Sequence, residues 1–288
     1  MGGISFSDED ILAYNVSSGL WSMFFDGSDV GLDATGQEID AFHLNPDGSL
    51  LFSLGVASTL PNVGSVDDFD IVRFVPTSLG DNTAGGYELY FDGEDVELTT
   101  SGEDIDGLGM TPDGRLVIGT RGAFSAGGIS GGDEDLFIFT ATSLGAVTSG
   151  SWAMYFDGSD VGLDDGGSNE DVTGAWIDAN GDIYLSTRGP FSVPGASGDS
   201  ADIFTCVPAS TGDNTSCTFS LFWDGSANGF AGETINGLFL RRLGENIYFP
   251  IILRQGTIQS SSPDGNNIND LSGPIHSDPA TMGNRFLP

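Results

Sequence analysis

The residues of this chain whose type and spacing could do chemistry are its carboxylates. Glu103, Asp104 and Asp106 form one short run and Asp133, Glu134 and Asp135 form another, and the two are expected to converge within one repeat. The same two runs recur as Glu38 and Asp40 with Asp67, Asp68 and Asp70, and as Glu170 and Asp171 with Asp199 and Asp202. In a D-x-D spacing alternate carboxylates project to one side of an extended strand. Clustered carboxylates with loop carbonyls are hard oxygen ligands, and calcium takes roughly six to eight of them from flexible loops. The spacing therefore predicts a divalent-cation site, calcium before magnesium. Its expected ligands are Asp40, Asp67, Asp70, Glu103, Asp104, Asp106, Asp133, Asp135, Glu170, Asp171 and Asp202. The competing reading is solvated loop acid and turn caps that bond backbone N–H groups. No stretch matches a full EF-hand loop or the nonapeptide calcium repeat.

Other reactive groups are few. Arg121 and Arg188 open the matching runs RGAFS and RGPFSVPG beside the acids. They either cradle a polar ligand or tie acidic loops together, and the second is the expectation. Cys206 and Cys217 stand where other copies of the same segment carry Phe139 with Gly150 and Phe74 with Gly85. Two positions that change together across one hairpin predict a disulfide, and a disulfide implies an oxidising compartment. His43 replaces Gly109, Trp176 and Phe239 at one strand position and reads as a packed residue; His276 is the other histidine. Without lysine, and with both cysteines paired, nucleophilic machinery is thin. Carboxylate pairs suited to glycoside hydrolysis are present in number. A single active site breaks repeat symmetry, however, and these acids respect it, so the expectation is a non-enzymatic protein.

The elements that must position these groups are repeated. FDGSDVGL at 25–32 returns unchanged at 156–163, as FDGEDVEL from Phe91 and as WDGSANGF from Trp223, at spacings of 66, 65 and 67 residues. Each unit reads as four short strands, represented by Ile105 to Thr111 (A), Arg115 to Thr120 (B), Asp135 to Thr140 (C) and Trp152 to Phe156 (D). Pro-Asp-Gly at 46–48 and 112–114, and Asn180-Gly181, mark tight A–B hairpins. Repeated four-stranded antiparallel units that are apolar on both faces predict an all-β, four-bladed β-propeller. The phase adds closure: the chain starts with C and D strands (Asp10 to Tyr14, Trp21 to Phe25) and ends with A and B (Ile235 to Leu240, Asn246 to Ile252). The last blade is then shared between the two ends. Residues 4–254 form the propeller, and 255–288 read as a loop-like tail that wraps the ring or docks on a neighbour.

With FDGSDVGL, EDIDGL at 103–108 and DEDLF at 133–137 on the page, the repeats resemble those of bacterial secreted β-propeller-like proteins across residues 4–254. The resemblance implies the fold and secretion and carries no activity, since a fold alone does not give function. The chain departs from the pattern in its fourth copy, where Ala227 and Thr234 replace acids, so an acid-dependent site is weakest there.

Charge sharpens the picture. The 288 residues carry 42 acids against eight basic residues, all arginine, for a net charge of -34. A phosphate backbone needs a basic footprint, so nucleic acid is excluded as a partner, and an anionic membrane surface is disfavoured. No apolar run is long enough to span a membrane, and the N-terminus lacks signal-peptide character. Assigning acids to loops places 31 of the 42 in the D–A and B–C connections, on one face of the ring, with the A–B and C–D links on the opposite face. The expected function is an extracellular structural, adhesive or assembly module whose acidic face binds calcium. The alternatives are a carbohydrate-binding or carbohydrate-active propeller, with strand D aromatics Trp21, Tyr87, Trp152 and Phe219 as a weak candidate platform, and a subunit of a head-to-tail polymer.

Overall fold

The computed structural model describes residues 4–15, 18–34, 36–164, 170–243, 246–253 and 256–258. The chain is all-β, and its framework is four antiparallel four-stranded sheets. Sheet I contains Ile39–Leu44, Leu50–Leu54, Ile71–Ser78 and Ala84–Phe91 as strands A to D. Sheet II contains Ile105–Met110, Leu116–Thr120, Leu136–Ser143 and Ser149–Phe156. Sheet III contains Val172–Ile177, Ile183–Thr187, Ile203–Ser210 and Ser216–Trp223. Sheet IV takes A and B from the end of the chain, Ile235–Leu238 and Asn246–Leu253, and C and D from its start, Ile11–Asn15 and Leu20–Phe25. A short strand, Arg241–Leu243, also pairs with Asn246–Leu253.

Local chemistry explains the strands. Leu50–Leu54 and Leu116–Thr120 are buried at every residue, as strands covered on both faces must be. The A–B hairpins turn on Gly48, Gly114 and Gly181, whose φ values of 86°, 85° and 89° are open to glycine at little cost. Each D strand runs into a one-turn 3-10 segment, and the following Leu32, Leu98, Leu163 or Phe230 is buried between sheets.

The sheets are joined by one repeated contact. The first N–H of strand A bonds a carbonyl at the strand C entry of the preceding sheet: Ile105 to Asp68 (3.1 Å), Val172 to Asp133 (3.0 Å) and Ile235 to Ser200 (3.0 Å). Ile39 of sheet I bonds Asp8 of sheet IV in the same way at 3.1 Å, so the series of junctions returns to its start. Strand A of each sheet touches strand A of the next, including IV with I. Four hydrophobic clusters fill the four junctions.

Two features depart from the sequence reading. Each B–C connection carries a small hairpin: Ser58–Leu60 with Gly64–Val66, Phe124–Ala126 with Ile129–Gly131, and Phe191–Val193 with Ala196–Gly198. In sheet IV its two halves are Gly256–Ile258 and Ile4–Phe6, paired antiparallel across the chain ends. The ordered repeat therefore runs past residue 254, and the expected tail boundary is too early. Three-residue strands carry no legible period, so only the pairing reveals them. The rest of that tail, residues 259–288 with His276, lies outside the described residues.

The second departure concerns faces. The C–D turns were expected opposite the D–A loops. Instead, the turns at Gly80, Gly145 and Gly212 bridge Phe25, Phe91 and Phe156 at the D-strand end of the preceding sheet. Strand twist carries the outer strands sideways, so the two kinds of loop meet at the rim.

Candidate functional site

The carboxylates divide by what they hold. Asp70, Asp135 and Asp202, with Asp10 as the fourth member, sit where strand C begins and are buried. Their Oδ2 atoms accept the N–H of Asp67 (2.9 Å), Gly132 (2.8 Å), Asp199 (3.0 Å) and Ser7 (2.8 Å). Their Oδ1 atoms accept the N–H of Gly93 (2.9 Å), Gly158 (2.8 Å), Gly225 (3.0 Å) and Gly27 (3.0 Å). Each aspartate thus knots its own strand entry to the D–A loop of the same sheet. The Phe/Trp-Asp-Gly motif follows from this knot. A Cβ at Gly27, Gly93, Gly158 or Gly225 would run into the carbonyl oxygen of Glu9, Phe69, Glu134 or Ala201.

Glu103 is similarly committed. Its Oε2 accepts the N–H groups of Thr99 (2.8 Å) and Thr100 (2.9 Å), and its Oε1 that of Ser125 (3.2 Å). Glu170 accepts the Ser192 N–H at 3.1 Å, which anchors the small hairpin of sheet III. Asp67 and Asp133 are half-buried at the strand C entries. The sequence reading missed Asp29, Asp95 and Asp160. They cross the rim to the N–H of Thr83, Thr148 and Thr215 at 2.8–2.9 Å. Their signal is the matched recurrence of these threonines, and the acid is lost at Ala227, where the following C–D turn is the short Asn15–Leu20 link.

The remaining candidates converge between sheets. Asp40, Asp104, Asp106 and Asp171 line the starts of the A strands of sheets I to III and are buried, Asp171 completely. Arg121 bonds the Asp104 carbonyl through its N–H (2.9 Å), and its Nη1 lies 3.5 Å from Asp104 Oδ2. Arg188 repeats this on Asp171, with an N–H bond of 2.9 Å and an ion pair of 3.2 Å. The expected tie between arginine and acidic loop is present, although both guanidiniums remain partly exposed. In sheet I a glycine, Gly55, takes the arginine's place, and the Glu38 and Asp40 side chains fill its space.

The grouping itself is a correction. Strand A entries were expected to meet the strand C entries of their own blade. Asp104 instead faces Asp68 of the preceding sheet, and Asp171 faces Asp133 of the preceding sheet. Strand B lies between A and C, so within one sheet they are about 10 Å apart at roughly 4.8 Å per strand. The next sheet packs closer.

Burial dominates the electrostatics. It pushes Asp104 up to about 8, with Asp40 and Asp68 adding repulsion against Arg121. Asp106 and Asp171 lie within hydrogen-bonding reach of one another, and burial raises both above the carboxylate range. Asp104 Oδ1 and Asp171 Oδ1 meet no N–H donor among the described residues, Asp171 Oδ2 meets the Arg188 guanidinium, and the Asp106 carboxyl meets that of Asp171. No set of three or more His, Cys, Asp or Glu side chains among the described residues is arranged to hold a metal ion. Such a pocket of charge calls for protons or for a counter-cation.

Other candidates resolve into packing. Trp21, Tyr87, Trp152 and Phe219 are buried, and Tyr87 and Trp152 donate to the carbonyls of Val30 and Val96. His43 is buried edge-on to Phe239 at 5.4 Å, and burial lowers its pKa to about 4. Cys206 and Cys217 form the expected disulfide, with a Cα–Cα distance of 5.2 Å.

No protein-family model and no curated protein matches the chain. Among solved structures it is similar to a catalytically inactive virginiamycin B lyase from Staphylococcus aureus bound to quinupristin. The TM-score is 0.34 at 8% identity, over 86% of this chain and 98% of that one. It is also similar to an extracellular domain from B. thetaiotaomicron, with a TM-score of 0.32 at 12% identity, over 90% of this chain and 40% of that one. Likeness of this degree carries no argument about activity or partner. No helix among the described residues is long and apolar enough to cross a membrane.

Proposed function

We propose that the chain is a four-bladed β-propeller acting outside the cell as a non-enzymatic structural or adhesive module. Its acidic loop face takes divalent cations, with calcium as the first candidate. One observation carries this reading: acids recur sheet after sheet in the same places, and only some of them, such as Asp70, Asp135 and Asp202, are spent on backbone N–H groups. A buried residue of carboxylates is left over that wants a counter-charge. The cyclic series of sheet junctions supports the propeller, and the disulfide supports an oxidising compartment. Calorimetric titration of calcium into the full chain, with melting in chelator, tests the reading. The expected result is measurable heat and a lower Tm in chelator. No heat and an unchanged Tm would remove the cation claim.

A carbohydrate-binding propeller is the second reading. The strand D aromatics are used in packing, but Trp176, Tyr184 and Phe222 form a run with ring centroids 5.1 and 4.9 Å apart, and Phe222 is 38% exposed. A glycan array is the check; binding that is lost in Trp176→Ala supports it, and a blank array rejects it.

A further inference from the structure

Sheets I to III carry an aromatic residue just before the Phe/Trp-Asp-Gly motif of strand D: Tyr90, Tyr155 and Phe222. In sheets I and II an arginine accompanies it. Arg73 sits close enough for its charge to act on Tyr90, bonds Ser49 Oγ at 2.9 Å and pairs with the hairpin acid Asp47. Arg115 acts in the same way on Tyr155 and pairs with the hairpin acid Asp113 at 3.0 Å. Each arginine thus neutralises the tip of its A–B hairpin beside a ring.

Sheet III breaks this pattern. Thr205 stands opposite Tyr184 where sheet I places Arg73 opposite Leu51, and Asp182 stands where sheet II has Arg115. The hairpin keeps its acids: the Asp178 N–H bonds the Asp182 carbonyl at 3.0 Å, and the Asp178 charge repels that of Asp182. No arginine pairs with either acid among the described residues. The rings beside them have multiplied. Tyr184, two residues from Asp182 and so on the same side of the strand, lies 5.1 Å from Trp176 and 4.9 Å from Phe222, where sheet II has only Val117 and Gly109 beside Tyr155. Val207 and Phe222 leave this face 46% and 38% exposed.

We propose that this face of sheet III binds an arginine side chain of a partner protein, with its guanidinium against Asp182 and its apolar stem along Tyr184 and Phe222. Sheets I and II show the same fit within one chain, since an arginine there meets both a hairpin carboxylate and the ring that matches Phe222. Aromatic faces attract cations, arginine foremost, and a planar guanidinium matches a carboxylate. The net charge of -34 adds long-range attraction for a basic partner. A neutral glycan could use the rings but would leave the acid pair without its cation. The proposal rests on the adhesive reading above, to which it gives a class of partner, and it is independent of the cation claim.

The test is calorimetry on the full chain in chelator, which separates it from the calcium titration. The probes are a hexapeptide of alternating glycine and arginine, the same peptide with citrulline for arginine, and a glucosamine oligomer. The arginine peptide is expected to bind wild type, and the citrulline peptide at least tenfold more weakly. Asp182→Arg supplies the missing guanidinium from the chain itself. It is expected to weaken the peptide at least tenfold with a Tm no lower than wild type. Asp213→Arg makes the same change of charge on the exposed C–D turn of the same sheet and is expected to stay within twofold. Should Asp182→Arg fail to fold, the loss is read in Phe222→Ala, whose ring is partly exposed. No binding of the arginine peptide overturns the proposal, as does equal binding of the citrulline peptide. Equal losses in Asp182→Arg and Asp213→Arg overturn it in favour of unspecific attraction to an acidic chain. Glucosamine binding that Asp182→Arg removes, without peptide binding, overturns it in favour of a glycan and leaves the adhesive reading standing. A chain that binds no probe but takes calcium loses the arginine site alone.

Discussion

Asp135 accepts one N–H from Gly132 and one from Gly158 inside the fold, so its removal leaves two buried donors unmet. Asp135→Ala is expected to lower stability by about 3 kcal/mol, measured by chemical denaturation, since each charge-assisted bond is worth about 1.5–3 kcal/mol. The half-buried Asp26, whose Oδ1 accepts the Ser28 hydroxyl at 2.7 Å and the Asp29 N–H at a long 3.4 Å, supplies a control, and Asp26→Ala should fall well short of that loss. Titration belongs to the same scale. Burial raises Asp70 to about 6 and Glu9 and Glu134 to about 7, above ordinary values of 3.8 and 4.5. A raised folded pKa means the folded chain binds more protons than the unfolded chain. These groups therefore contribute stability that is complete below their ordinary values and is lost as pH rises through about 6 to 7. Tm in chelator is expected to fall between pH 5 and pH 8; a rise over that range would contradict the assignment. The residue types were legible in sequence, and their division of labour was not. D-x-D looks the same whether its oxygens meet a cation or a glycine N–H, and only the position of Gly93 or Gly158 separates the two.

At the scale of the element, the disulfide shows what repeat comparison can find. In sheets I and II a phenylalanine ring, Phe74 or Phe139, lies over a glycine, Gly85 or Gly150, across the C–D hairpin, and a Cβ on that glycine would strike the ring. Sheet III replaces the pair by Cys206 and Cys217, so the bond fills the space that ring and glycine share elsewhere. Reducing it is expected to cost about 2–3 kcal/mol for a short loop, checked by melting with and without reductant. The C–D turns make a further case. Asp95 Oδ2 holds the Thr148 N–H across the junction of sheets I and II. Asp95→Ala should cost about 1 kcal/mol, less than Asp135→Ala, because the Asp92 N–H to Thr148 Oγ1 bond remains. Strand positions were legible to within a few residues from hydrophobic runs and turn glycines. The small B–C hairpins were not, because three-residue strands rich in glycine and serine leave no period to read.

For the whole molecule, the ends decide. Sheet IV is built from both termini, and the small hairpin beyond it is cut open, so that Ile4–Phe6 pairs with Gly256–Ile258. A chain ending at residue 253 is expected to melt below one ending at residue 258, with the difference read by calorimetry. Equal melting would show that this pairing contributes nothing to holding the ends. The sequence by itself determined the all-β class, the four copies, the sharing of one sheet between the ends, the disulfide and the excess of acid over base, because each is a matter of period, count or matched substitution along the chain. Only the tertiary structure decided which acids meet. Asp106 and Asp171 are 65 residues apart in sequence and belong to different sheets, and neighbours within a sheet are kept apart by the strand between them. Packing of sheet on sheet brings them together and strips them of water. A carboxylate's role is set by that environment, and no local spacing encodes it.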